Sequence, residues 1–152
     1  MTERIQLKKV LAITAILLFA GSQSAEAATK VTIVNSKKIS TKNGLVTIKV
    51  SALPKNNGIY ISQCMAIKEG EVKPPACNLS AASKLWISDV PADIKMGAKS
   101  SKSKLTLKVD KYFENGDCIH TKCIIYVTND HNAKDKTATQ AIPFKFGGIN
   151  LF

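Results

Sequence analysis

From residue 31 to residue 146 apolar and polar side chains alternate with a period of two, and this pattern limits the fold more than any other feature of the chain. Val31 and Ile33 alternate with Thr32, and Val46, Ile48 and Val50 with Thr47, Lys49 and Ser51. Ile59 and Ile61 flank Tyr60, and Leu85 and Ile87 flank Trp86. Leu105, Leu107 and Val109 alternate with Thr106 and Lys108; Ile124 to Val127 follow Cys123; Ile142, Phe144 and Phe146 close the series. Such alternation suits antiparallel strands with one face in a core and the other in water. Turn residues fall between the runs, at Lys42-Asn43-Gly44, Pro54 to Gly58, Glu69-Gly70, Met96-Gly97, Glu114 to Asp117, Asn129 to Asn132 and Gly147-Gly148. About seven short strands at this spacing predict an all-β fold, a seven-stranded immunoglobulin-like β-sandwich. Leu79 to Lys84 tolerates a helix but is too short to predict one, and residues 97–104 read as an exposed, lysine-rich loop.

The start of the chain has a different character. Arg4, Lys8 and Lys9 precede an apolar run, Val10 to Ala20, and Ala25-Glu26-Ala27 supplies a small-x-small cleavage pattern. Residues 1–27 are therefore expected to be a secretory signal peptide, cleaved before Ala28. The apolar run is too short to span a bilayer, and no later stretch reaches the ~18 apolar residues of a membrane span. Residues 28–152 are expected to form one secreted domain.

An extracellular setting bears on the cysteines. The chain has four, Cys64, Cys77, Cys118 and Cys123, and an even count outside the cell reads as a disulfide framework. Four cysteines allow three connectivities. Sequence order favours Cys64–Cys77 and Cys118–Cys123, two short-range bridges worth about 3 and about 2 kcal/mol by loop entropy. His120 between Cys118 and Cys123 invites comparison with a metal site, but a structural zinc needs four ligands, and His131 sits apart in a polar turn. No metal is expected. Asp89, Asp93 and Asp110 lack a visible partner for acid–base work, and no nucleophile–base pair can be named, so the chain reads as non-enzymatic.

The formal charge is +11, and Arg4 is the sole arginine. Lysine is a diffuse point charge, whereas reading of base edges and bidentate phosphate recognition use guanidinium. Sequence-specific nucleic-acid binding is not expected; a lysine surface suits an anionic envelope polymer or simple solubility.

Six stretches stand in order along the chain: Gly44-x-Val46-x-x-Lys49-Val50, Gly58-x-Tyr60-x-x-Gln63-Cys64, Ala76-Cys77-Asn78, Leu105-x-Leu107-x-Val109, Asp117-Cys118 with four residues before Cys123, and Ile142-x-Phe144. Together they resemble the neocarzinostatin–macromomycin family of secreted antibiotic apoproteins. The resemblance spans most of residues 31–146, and the cysteine frame is its most specific part. It implies a sandwich with a cleft, and a carrier that shields an enediyne chromophore, the chromophore causing the DNA damage behind the antibiotic activity. It implies the same two disulfides. No cofactor is expected beyond such a non-covalently held small molecule, whose identity the sequence leaves open.

Carried over position by position, the cleft would involve Ala66, Pro75, Ala82, Ile124, Tyr126 and Thr128. Ala66 stands where the carriers place an aromatic, Pro75 at a common leucine and Ala82 where a phenylalanine can line the cleft. Tyr126 replaces a glycine on the cleft floor, flanked by Ile124 and Thr128. Two functions follow as alternatives: a carrier of a small apolar ligand, or an envelope interaction module for a protein or anionic polymer. An open cleft of several hundred cubic ångströms lined by Ala66, Ala82 and Ile124 would favour the first; a cleft plugged by Tyr126 would favour the second.

Overall fold

A computed structural model describes residues 28–34, 36, 39–131 and 137–147. The expected signal peptide, residues 1–27, lies outside them, as do Lys37 and Lys38. Among the described residues are nine strands, β1 (Lys30–Ile33), β2 (Leu45–Ala52), β3 (Ile59–Met65), β4 (Lys84–Ile87), β5 (Leu105–Lys108), β6 (Tyr112–Phe113), β7 (Gly116–Asp117), β8 (Cys123–Asn129) and β9 (Gln140–Phe144), and one short α-helix, α1 (Pro91–Lys95). They form a three-stranded sheet, β1-β2-β5, a four-stranded sheet, β4-β3-β8-β9, and a separate ribbon, β6-β7. Every strand pairing is antiparallel.

The alternation sorts residues between the two sheets. Val31, Ile33, Val46, Ile48, Leu105 and Leu107 from the first sheet share one buried cluster with Ile59, Ile61, Ile87, Ile125 and Val127 from the second. Burying each such side chain stabilises by about 1.5–3 kcal/mol. The chain crosses from β2 to β3, returns from β4 to β5, and crosses again to β8, the Greek-key path of an immunoglobulin-like sandwich. The fourth strand pairs with the third rather than with the smaller sheet.

Three details differ from the expectation. Among the described residues the two sheets hold the seven strands expected, but a separate ribbon is added to them, in which Tyr112–Phe113 and Gly116–Asp117 pair around a turn that holds Asn115 at positive φ. Strands of two residues are too short to leave a periodic trace. Helix α1 was also not predicted. Pro91 at its start and Asp93 in its first turn are starting signals, but five residues carry no amphipathic pattern. Third, residues 97–104 are only partly a free loop: Lys99 N donates to Trp86 O and Ser88 N to Lys99 O, so this segment covers the outer edge of β4.

Gly44 has a specific task. Its φ is +59°, and a Cβ there would lie 2.0 Å from the Val109 carbonyl oxygen. That approach brings Val109 N within 2.7 Å of Gly44 O, joining the entry of β2 to the exit of β5. Among the described residues no helix is long and apolar enough to cross a membrane.

Candidate functional site

Both expected disulfides are formed, Cys64–Cys77 and Cys118–Cys123. The first ties the hairpin-like segment 65–76 to β3, and Met65 N donating to Ala76 O (2.9 Å) keeps its two ends together. The second closes a loop directly before β8. With its thiolates used in this bond, Cys-x-His-x-x-Cys has no sulfur ligand to offer a metal. His120 Nδ1 instead lies 2.7 Å from Asp117 Oδ2. Asp117 Oδ1 also accepts from the amides of Ile119 and His120. These bonds, the His120 side chain foremost, hold the Asp117 carboxyl below its ordinary pKa. The Thr121 hydroxyl donates to the Asp117 carbonyl, a further bond within the loop.

Beside Cys64, a buried polar group fixes the other loop. Gln63 Oε1 accepts from Asn78 Nδ2 (2.9 Å) and from Asp110 N (2.9 Å), while Gln63 Nε2 donates to Asp110 O (2.6 Å). Asn78 Nδ2 also reaches Asp110 Oδ2, and Lys108 Nζ pairs with Asp110 Oδ1 at 3.2 Å. Asp110 thus has a positioning task here, joining the 65–83 segment to the end of β5.

The outer face of the four-stranded sheet carries three of the side chains expected at the cleft, Ile124, Tyr126 and Thr128. Register places Trp86, Tyr60 and Thr128 in one row, Lys84, Ser62, Tyr126 and Ala141 in the next, and Cys64, Ile124 and Pro143 in the third. In the first row Tyr60 lies 6.1 Å from Trp86 and stacks on His131 at 5.9 Å, centroid to centroid. A 2.9 Å hydrogen bond joins Tyr60 Oη and His131 Nδ1. Burial first, then the carboxylates of Asp130 and Asp93, raise the Tyr60 pKa, so it stays a neutral phenol. The Trp86 indole N–H is buried without a partner among the described residues, close to Gly58.

The third row opens into a cavity of about 370 Å³. Ala66, Ile124, Pro143, Phe144 and Phe146 give it apolar walls, and the Cys118–Cys123 loop forms one side with Ile119. Thr121, Lys122 and Lys145 complete the lining. Ala66 N donates to Lys122 O (2.9 Å), holding the loop against the end of β3. Of the six residues expected at a ligand site, Ala66 and Ile124 come together here. Tyr126 and Thr128 lie further along the same sheet face, half-buried and outside the cavity lining. Pro75 is exposed in the disulfide segment, and Ala82 is exposed in the 3-10 turn Ala81–Ser83 before β4. Neither lines the cavity.

Pro143, Lys145, Thr121 and Lys122 were not singled out from the sequence as site residues. Pro143 and Lys145 are the outward positions of the Ile142-x-Phe144-x-Phe146 alternation, and that signal was available.

No protein-family model matches the chain, and no curated protein matches it. Among solved structures, the fold is similar to that of macromomycin. The two are 18% identical with a TM-score of 0.46, over 79% of this chain and 100% of that one. At this identity the likeness is one of fold alone.

Proposed function

We propose that the chain is a secreted, non-enzymatic carrier that holds a small apolar ligand in the cavity beside the Cys118–Cys123 loop. The observation that carries this reading is the 370 Å³ hollow with mainly hydrocarbon walls, set between strand ends and a disulfide loop. Ligand sites are usually concave, preformed and mostly apolar, from about 300 to 1,000 Å³. Rigid walls lower the ordering cost of binding. Loading with an antibiotic chromophore, as in the family that the cysteine frame resembles, is one form of this reading.

The test is native mass spectrometry of the protein from its own host, with extraction of bound molecules. A stoichiometric small molecule that is lost on denaturation, and displaced by Ile124→Trp, is the expected result. A polypeptide mass of residues 28–152 less four hydrogens would accompany it if the leader is cleaved and both bridges form. Failure of the purified protein to bind any of a panel of apolar probes would sink the carrier reading.

A second reading, an envelope interaction module, draws on a different hollow. Lys42, Lys108 and Lys111 line a space of about 320 Å³ beside Asp110 and Tyr112, next to the apolar cavity, with which it shares Phe146. Binding of an anionic polymer such as polyglutamate, weakened by Lys42→Gln with Lys111→Gln, would favour it.

A further inference from the structure

We infer that the ligand of the apolar cavity carries a single anionic head group, received by Lys122 and Lys145 at its mouth. This rests on the carrier reading and adds the ligand's chemical class. Among the described residues the cavity lining includes two lysines and no carboxylate. Both lysines are solvent-exposed, while the neighbouring Ile124, Phe144 and Phe146 are buried. The site therefore has an apolar interior and a cationic edge.

The two lysines are fixed at the backbone. Lys122 lies within the five-residue span of the Cys118–Cys123 bridge, and its carbonyl accepts from Ala66 N. Lys145 is held from both sides, its N donating to Ser36 O (3.0 Å) and its O accepting from Ile39 N (3.1 Å). Among the described residues the ion pairs are Lys108–Asp110 and His120–Asp117, and neither cavity lysine pairs with a described carboxylate. Thr121 does not compete, since its hydroxyl already donates to the Asp117 carbonyl.

Size narrows the ligand further. An apolar cavity of roughly 150 Å³ takes up benzene, so 370 Å³ admits a body of about two fused rings or a chain of similar volume. The chemical class is an amphiphile with a compact hydrocarbon part and one carboxylate, sulfonate or phosphate. Lysine suits that head group as a point charge on a flexible stem, with the stem covering apolar surface.

Two fluorescent probes of the same skeleton test this directly: 1-anilinonaphthalene-8-sulfonate and the neutral N-phenyl-1-naphthylamine. Titrated at low salt into the disulfide-intact protein, the sulfonate should bind about tenfold more tightly, which is about 1.4 kcal/mol. Lys122→Gln with Lys145→Gln should remove that preference and leave the neutral probe unchanged; both positions are exposed, so folding is not at stake. Raising the salt should narrow the gap. Lys55→Gln with Lys95→Gln, exposed and absent from the cavity lining, should leave it intact.

Equal binding of the two probes, or a preference reduced as much by the remote pair as by the cavity pair, overturns the anionic inference while the carrier reading stands. Binding of neither probe overturns both.

Discussion

Asn78 is joined twice to Gln63, fifteen positions earlier: its amide donates to the Gln63 carbonyl at 2.8 Å, and its Nδ2 donates to Gln63 Oε1 at 2.9 Å. Each is the immediate neighbour of a bridged cysteine, so the Gln-Cys and Cys-Asn pairs form a clamp of one covalent and two hydrogen bonds. Gln63 is fully buried and extends the clamp to the Asp110 backbone. Replacing Gln63 by Leu would strand the Asp110 amide and part of the Asn78 side chain. Unsatisfied buried groups cost about 1–3 kcal/mol each, so Gln63→Leu is expected to lower stability in urea by about 2–4 kcal/mol. A loss below about 0.5 kcal/mol would show the clamp to be dispensable.

The two disulfides should separate stability from binding. Cys64→Ser with Cys77→Ser is expected to leave a folded domain weakened by about 3 kcal/mol, since the closed loop is the longer one. Cys118→Ser with Cys123→Ser should cost about 2 kcal/mol but should weaken binding in the cavity more, because this loop forms its wall. Thermal melts and probe titrations on both double variants decide it; unchanged melting of the native protein on reduction would contradict the first half.

Gly44 offers a backbone test. An alanine there meets both an unfavourable positive φ and the Val109 carbonyl at 2.0 Å. Gly44→Ala is expected to destabilise by about 2–4 kcal/mol, well beyond an ordinary surface substitution. A chemical denaturation curve that superimposes on that of the native protein would refute the assignment.

Asp89 predicts a dependence on acid. The Ser101 hydroxyl, outweighing partial burial and aided by the Ser100 hydroxyl and the Ser101 amide, holds its carboxyl below the usual value. As the pH falls the unfolded chain takes up this proton first. The stabilisation is therefore full above the unfolded pKa of about 4 and is lost as pH falls through the folded value. The group is exposed, so solvent screening limits the effect to no more than about 1 kcal/mol. Asp89→Asn should flatten that part of the stability profile below about pH 4 and alter it little near neutrality; an unchanged acid limb would remove the role of Asp89.

The alternation determined most of the sandwich because its cause is local: strands have a two-residue period, and one buried face makes it visible in the sequence. Ile59 and Ile61 face the core and Tyr60 the outer surface for that reason. The short-range disulfides were similarly legible, since each pair is close in the chain. Positions 112–117 and 91–95 were not, because two-residue strands and a one-turn helix owe their conformation to neighbours rather than to a repeated pattern.

The cavity was decided by tertiary structure. Ala66, Lys122, Ile124 and Lys145 come from the end of β3, a disulfide loop, β8 and the segment after β9, and no sequence period connects them. Matching positions along the chain named Ala66 and Ile124, which line this cavity, and also Pro75, Ala82, Tyr126 and Thr128, which do not. The sequence by itself determined which side chains face inward and which cysteines lie close enough to pair. Only the packing of strand ends against the Cys118–Cys123 loop decided where a space remains, because a cavity's volume and charge depend on residues that meet across the fold.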